Sequence, residues 1–215
     1  MFGSFNRRYT IWICEIVTVL LALLTIVFLL TSSSFSPLTI VKIVLAAIIP
    51  AILPLYEIVF KRNASIFINI LIASHAILSV FLGSGFAFYS RIAWWDLFLH
   101  GYFGFVGAAV LLMIFRGVGG KIKPFWLCAF IFLSVMGCAA LWEVFEFSTD
   151  IIFAQDAQCV DEAIALGLNP IADTMTDIII TATGAVLFLT ADILCRFIQK
   201  KRKNAKNAKI FSVLY

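Results

Sequence analysis

Successive runs of about twenty mostly apolar residues dominate this chain, and few folds can accommodate them. At 1.5 Å per residue, a run of ~20 residues crosses the ~30 Å hydrocarbon core of a bilayer as a helix. Six such runs can be drawn, at about 11–30, 38–60, 64–82, 92–115, 125–147 and 171–197. With 63% hydrophobic and only 13% charged residues, the chain has too little polar surface for a water-soluble domain of 215 residues. The runs are long and rich in Leu, Ile and Phe rather than short and alternating, which excludes an outer-membrane barrel. The expected fold is therefore all-α: one polytopic membrane bundle of six transmembrane helices over residues 1–215, with a basic tail at 198–215.

Proline supports several boundaries. Pro37 and Pro124 open helices and Pro170 precedes the last, while Pro50 and Pro54 fall inside the second run and are expected to kink it. The first run follows Arg7 and Arg8, as a signal peptide would. Its apolar stretch is longer than a signal core and no Ala-x-Ala site follows, so it reads as a retained helix. In this arrangement 14 of the 16 basic residues lie on one side, and only Lys42 and Arg91 on the other. Both termini are then cytoplasmic and the chain is a multi-pass protein of the cell membrane. The Asn63-Ala64-Ser65 sequon falls on the cytoplasmic side, and the basic tail reads as an orientation signal. Five cysteines (Cys14, Cys128, Cys138, Cys159, Cys195) show no paired spacing, so no disulfide framework is expected. The segment from Ile151 to Pro170 reads as a short lid over the outer ends of the last two spans.

Six of the 12 acidic residues sit in three apolar stretches: Asp96; Glu143, Glu146 and Asp150; Asp173 and Asp177. One of the two histidines, His100, is with them. An ionisable side chain inside a span costs roughly 3 kcal/mol at a helix centre, so it is a functional hypothesis by default. Counting from Phe115, Phe125 and Phe197 as inner edges gives 19, 18 and 20 residues to Asp96, Glu143 and Asp177, or about 27–30 Å of rise. The three acids thus fall in one layer near the outer edge of the hydrocarbon, with His100 about a turn deeper. Asp96 and His100 are i, i+4; Glu143, Glu146 and Asp150 are i, i+3, i+7; Asp173 and Asp177 are i, i+4. Each set shares one helix face, and the last face continues into Thr181 and Gly184. Trp94, Trp95 and Trp142 read as interface anchors at the same depth.

Several carboxylates in a partly dry site must hold protons or be neutralised by a cation. His100 and Arg91 are the basic partners within expected reach. A bound divalent metal is the simplest remedy, with Asp96, His100, Glu143, Glu146, Asp173 and Asp177 as ligands. Carboxylates with one imidazole suit Zn²⁺, Mn²⁺, Fe²⁺ or Mg²⁺ without selecting among them. The plainer alternative is interhelical hydrogen bonding between protonated acids and Thr or Trp. His75 is expected to bond a neighbouring helix. Glu15, Glu57 and Asp192 are expected to pair with Arg8, Lys61 or Arg196, and the stripe Gly101, Gly104, Gly107, Ala108 is expected to pack helices.

The pattern Asp96, His100, Gly104, then Glu143 and Glu146, then Asp173, Asp177 and Gly184 resembles the YjdF-like family of bacterial inner-membrane proteins over residues 92–197. That family brings no established activity with it. A more distant likeness is to VanZ-like membrane proteins, which also place Asp and His early, Glu midway and Asp late. The Lys after the first Asp and the late Asn of that pattern are missing. There is no His-Glu-x-x-His, and Glu143-x-x-Glu146 lacks the flanking residues of prenyl-protein proteases. Gly83-Ser84-Gly85 looks like a serine-protease turn but reads as a loop with no partner His.

Three functions compete. One is a metal-dependent enzyme acting on a lipid head group or lipid-linked envelope intermediate, with His100 or Glu146 as general base. The others are a cation- or proton-coupled transporter and a non-catalytic assembly protein. Membrane lipid, not nucleic acid, is the expected partner.

Overall fold

The computed structural model describes residues 16, 19–20, 23–27, 37–48, 52–61, 63–119 and 122–211. Among these there is no strand. The expected first span lies mostly outside them, as do Arg8, Cys14, Glu15 and Pro50, although residues 23–27 are helical. The helices are α1 (Pro37–Ile48), α2 (Ile52–Phe60), α3 (Ile66–Ala76), α4 (Phe88–Arg91), α5 (Trp95–Val118), α6 (Pro124–Phe153), α7 (Val160–Ala165) and α8 (Ala172–Phe211). Among the described residues, four helical stretches are long and apolar enough to cross a membrane: Ile66–Gly85, Trp95–Val118, Pro124–Phe153 and Ala172–Asn204. The second expected span is described in two helical parts, α1 and α2, and residues 49–51 between them lie outside the described residues.

Three boundaries differ from expectation for identifiable reasons. Helix α6 runs six residues past Phe147, through Ser148, Thr149 and Asp150, so the lid is shorter than its sequence suggests. Its end is a left-handed residue, Ala154, at φ 51°. Helix α8 continues through the basic tail to Phe211, because no Gly or Pro after Gly184 interrupts it and Lys and Arg are good helix formers. Gly83-Ser84-Gly85 is not a loop but the end of a π-helical continuation of α3, Ile77–Gly85. The backbone bond from Phe86 N–H to the Phe81 carbonyl, 3.0 Å, shows the i→i+5 spacing.

Helices α5 and α8 form the closest pair. A Cβ on Gly104 would overlap the Thr181 carbonyl, and one on Gly184 would overlap the Gly101 carbonyl. Without a hydrophobic drive between helices in lipid, such small-residue contacts are how backbones approach. Helix α6 joins through Ile131 and Val135, packed with Ala108, Leu112, Ala185 and Leu189. A second apolar cluster ties α2 and α3 to α5 through Leu53, Ile68, Ile72, Val106 and Ala109. Ile43 of α1 is buried against Ala76 and Val80, which docks α1 on the α3 stretch.

Candidate metal centre

The paired glycine contacts set the register of the site. They align α5 and α8 in parallel, so Asp96 and Asp177 fall in one layer with His100 a turn deeper. Helical side chains lean toward the N-terminus, and the His100 ring therefore reaches back to that layer. Its Nε2 lies 3.8 Å from Asp96 Oδ2 and 3.6 Å from Asp177 Oδ2. Thr181, wholly buried, donates its hydroxyl to the His100 carbonyl at 3.2 Å and locks the two helices at this point. Asp96 and Asp173 both sit in first helical turns, where free N–H groups favour negative charge.

Asp96, His100 and Asp177 each offer one ligand atom, and these atoms lie within 4.8 Å of one another. The contacts of 3.6 and 3.8 Å are too long for hydrogen bonds. They are close to the ~3.4–3.6 Å that separates two ligands each about 2.1 Å from a shared metal. Asp177 is 3% exposed and its Oδ2 has no hydrogen-bond partner among the described residues. A buried acceptor left without a donor is costly, and a cation would satisfy it. These residues therefore fit a divalent ion.

The other expected ligands are nearby but not in the same knot. Glu143 and Glu146, 6% and 4% exposed, are buried on α6, and both act electrostatically on Asp177. Glu143 Oε2 is a second buried oxygen without a hydrogen-bond partner among the described residues. Asp173 is half-buried one turn above Asp177 and interacts with Asp96. Asp150 serves another purpose, since its carboxylate accepts the N–H groups of Ala157 at 2.8 Å and Gln158 at 3.1 Å. It thereby ties the lid to the end of α6. Gln158 in turn reaches inward, donating to the Glu143 carbonyl at 3.3 Å and to Thr174 Oγ1 at 3.1 Å. Beside it, the Cys159 thiol is pushed up to about 12, by burial first and then by the neighbouring Asp173, Asp156 and Glu162.

The basic partner differs from expectation. Arg91 is exposed at the end of α4, whereas Lys42 of α1 interacts electrostatically with both Asp96 and Glu146. Lys42 stands in the second turn of α1 and its ammonium extends into the polar layer, a reach that a count of loop charges overlooks. The three tryptophans also divide. Trp94 is 59% exposed, while Trp95 is buried with its ring edge-on to Phe88 at 4.9 Å. Trp142 is half-buried. His75 stacks on Tyr102 of α5 at 5.7 Å. Tyr102 is joined to Ser74 by a 2.6 Å hydrogen bond. At the other end of the bundle Asp192 pairs with Arg116 at 3.0 Å and with Arg196 at 2.6 Å. Glu57 accepts the Ala64 N–H at 2.9 Å, a helix-linking role.

Long apolar helices gathered around a buried acid and histidine group define a polytopic helical membrane protein with a polar site inside the bundle. The chain belongs to the family described as "Predicted membrane protein (DUF2238)", which matches residues 16–197. The match agrees with the uncharacterised membrane family expected from Asp96, His100, Glu143, Glu146, Asp173 and Asp177, and it extends that likeness into the first half of the chain. No curated protein and no solved structure matches the chain.

Proposed function

We propose that this protein is a metal-dependent membrane enzyme acting on a lipid head group or lipid-linked intermediate at the outer face of the cell membrane. The observation that carries the reading is the buried, partnerless Asp177 oxygen facing His100 and Asp96 at metal-ligand spacing. The reading takes the chain as six-spanning with both termini cytoplasmic, because 14 of 16 basic residues then share one side. Asp96, His100 and Asp177 hold the ion, and Glu143, Glu146 and Asp173 complete its shell or its surroundings. A divalent ion there supplies Lewis acidity to a phosphoryl or acyl oxygen. Glu146, buried across from the three ligands, takes the proton of the attacking water as general base. Gln158 and the lid limit the entry of bulk water from above. An apolar groove of about 440 Å³ between α5 and α8, lined by Leu97, Phe98, Phe105, Ile180 and Leu187, gives an acyl chain a place to lie beside the site.

The test is metal analysis of the detergent-purified protein, coupled to a screen for head-group release from phospholipids. The expected result is about one divalent ion per chain, lost in His100→Ala and Asp177→Ala. Glu146→Gln should retain the ion and lose turnover. A parent protein that purifies without metal, and whose melting is unchanged by chelator, would overturn the reading and favour a proton-relay or assembly role.

A further inference from the structure

Lys42 sits one residue before Ile43, the residue that docks α1 against Ala76 and Val80. Its Nζ lies 4.0 Å from the centroid of the Tyr89 ring and 5.9 Å from that of Trp142. Its charge acts on Asp96 and Glu146. One aromatic face in contact, a second at the edge of cation–π range and two carboxylates within electrostatic reach are the parts of an ammonium-binding site.

The chain goes to some length to build this site. Tyr89 occupies the space a side chain on Gly83 would need, since a Cβ there would overlap its ring. The π-helical end of α3 brings Gly83 to that place. Ala87, left-handed at φ 58°, then turns the chain so that α4 carries Tyr89 back over α1. Left-handed alanine is disfavoured by the clash of its Cβ with the backbone, and such strain persists only where its surroundings enforce it. π-Helical turns likewise concentrate at functional sites.

We propose that Lys42 is the resident cation of the acid cluster. Its ammonium fills a built cation subsite beside Asp96 and Glu146, separate from the face where His100 meets Asp177. The cluster is then a two-cation site, with one cation tethered to the chain and the other exchangeable. Asp96 borders both positions, so the tethered charge limits how tightly a divalent ion is held on the other side. That last consequence rests on the metal reading above; the ammonium subsite does not.

Thermal melting of the purified full chain tests the subsite. Lys42→Ala should melt several degrees lower than the parent, and ethylammonium at about 20 mM should restore at least half of the loss by occupying the vacated site. Sodium chloride at equal ionic strength should not, and Lys42→Met, whose side chain fills the stem, should not respond to the amine. Lys42→Met as stable as the parent, together with Lys42→Ala unresponsive to ethylammonium, would reduce Lys42 to a packing stem and overturn the proposal. If Lys42→Ala does not fold, Mn²⁺ titration of Lys42→Met and Lys42→Arg decides. Removing the neighbouring positive charge should tighten Mn²⁺ by about tenfold in the methionine variant and leave the arginine variant near the parent. Equal Mn²⁺ affinity in parent and Lys42→Met overturns it. A parent that binds no Mn²⁺ removes the metal reading, and the subsite then stands or falls on the amine response of Lys42→Met against Lys42→Ala or, failing that, on the greater stability of Lys42→Arg over Lys42→Met.

Discussion

Helices α5 and α8 carry a polar group at each end, and the two groups are built on opposite terms. At the basic end, Asp192 lies between Arg116 and Arg196 at 3.0 and 2.6 Å, with side chains 21–47% exposed. Two cations serve one carboxylate, every contact is at ion-pair distance, and water is within reach. At the other end several carboxylates share His100 and Lys42, the closest approaches to His100 are 3.6 and 3.8 Å, and Asp177 and Glu143 each keep a buried oxygen without a hydrogen-bond partner among the described residues. The first group is self-sufficient and explained by packing. The second leaves buried acceptors without donors among the described residues. The same two helices thus show what a satisfied polar contact looks like in this protein, and the acid site does not look like that.

Experiments can press on this contrast. The largest effect is expected where both ends depend on the same support. Gly104→Leu would drive a side chain into the Thr181 backbone, and overpacking of this kind costs about 1–3 kcal/mol or more. Loss of monodisperse protein on size exclusion is the expected result; a normally folded Gly104→Leu would show that α5 and α8 are not held as described. Next comes chelation. With ion at about 100 times its dissociation constant, binding stabilises by ~2.7 kcal/mol. Chelator should therefore lower the parent's melting temperature by several degrees but leave Asp96→Ala/Asp177→Ala unmoved. An equal response in both would erase the distinction between the two ends.

Weaker still is the basic end. Asp192→Asn should lower stability by no more than about 1 kcal/mol, and 0.5 M salt should shrink the difference, as for any exposed ion pair. A loss as large as that from Asp177→Ala would make it the more important group. The smallest effect is expected at Cys159. With its thiol pushed up to about 12, alkylation by iodoacetamide at pH 8 should be far slower than for a free cysteine, because the thiolate is the reacting form. A rate at pH 8 equal to that of a free thiol would contradict this. Removing one surrounding charge, as in Glu162→Gln, should lower that value and speed the reaction by a few-fold at most. An unchanged or slower rate would mean the acid density around the lid is lower than the geometry indicates.

Much of this site is legible in the sequence alone, for a simple reason. Ionisable residues are expensive in hydrocarbon, so Asp96, His100, Glu143, Glu146 and Asp177 stand out against apolar helices, and a fixed rise per residue converts their positions into depth. The stripe Gly101 to Ala108 is likewise readable as a packing face. Residues whose role depends on which helix stands next to which are not. Lys42 looks like an ordinary loop-side charge until α1 is docked beside α6, and Tyr89 carries no local mark at all. Asp150 continues the face of Glu143 and Glu146, yet its carboxylate turns to backbone N–H groups of the lid. Periodicity identifies a face but not which of its members a neighbouring loop will claim. The ends of α6 and α8 escape a sequence reading because apolarity marks where a helix can sit in lipid, not where its hydrogen-bond ladder stops.

The length of α8 has a mechanical meaning. Its 40 residues make a rod of about 60 Å, twice the thickness of the hydrocarbon it crosses. Asp173 and Asp177 are at one extremity, Gly184 provides a close bearing against α5, and the lysine-rich segment forms the long arm beyond it. A rod pivoting at such a bearing amplifies. A tilt of about 5° that moves the acids by an ångström or two would swing the far tip by roughly 3–4 Å, given ~1.5 Å of rise per residue. In this geometry any tilt that moves the acid end displaces the basic tip by roughly two to three times as much.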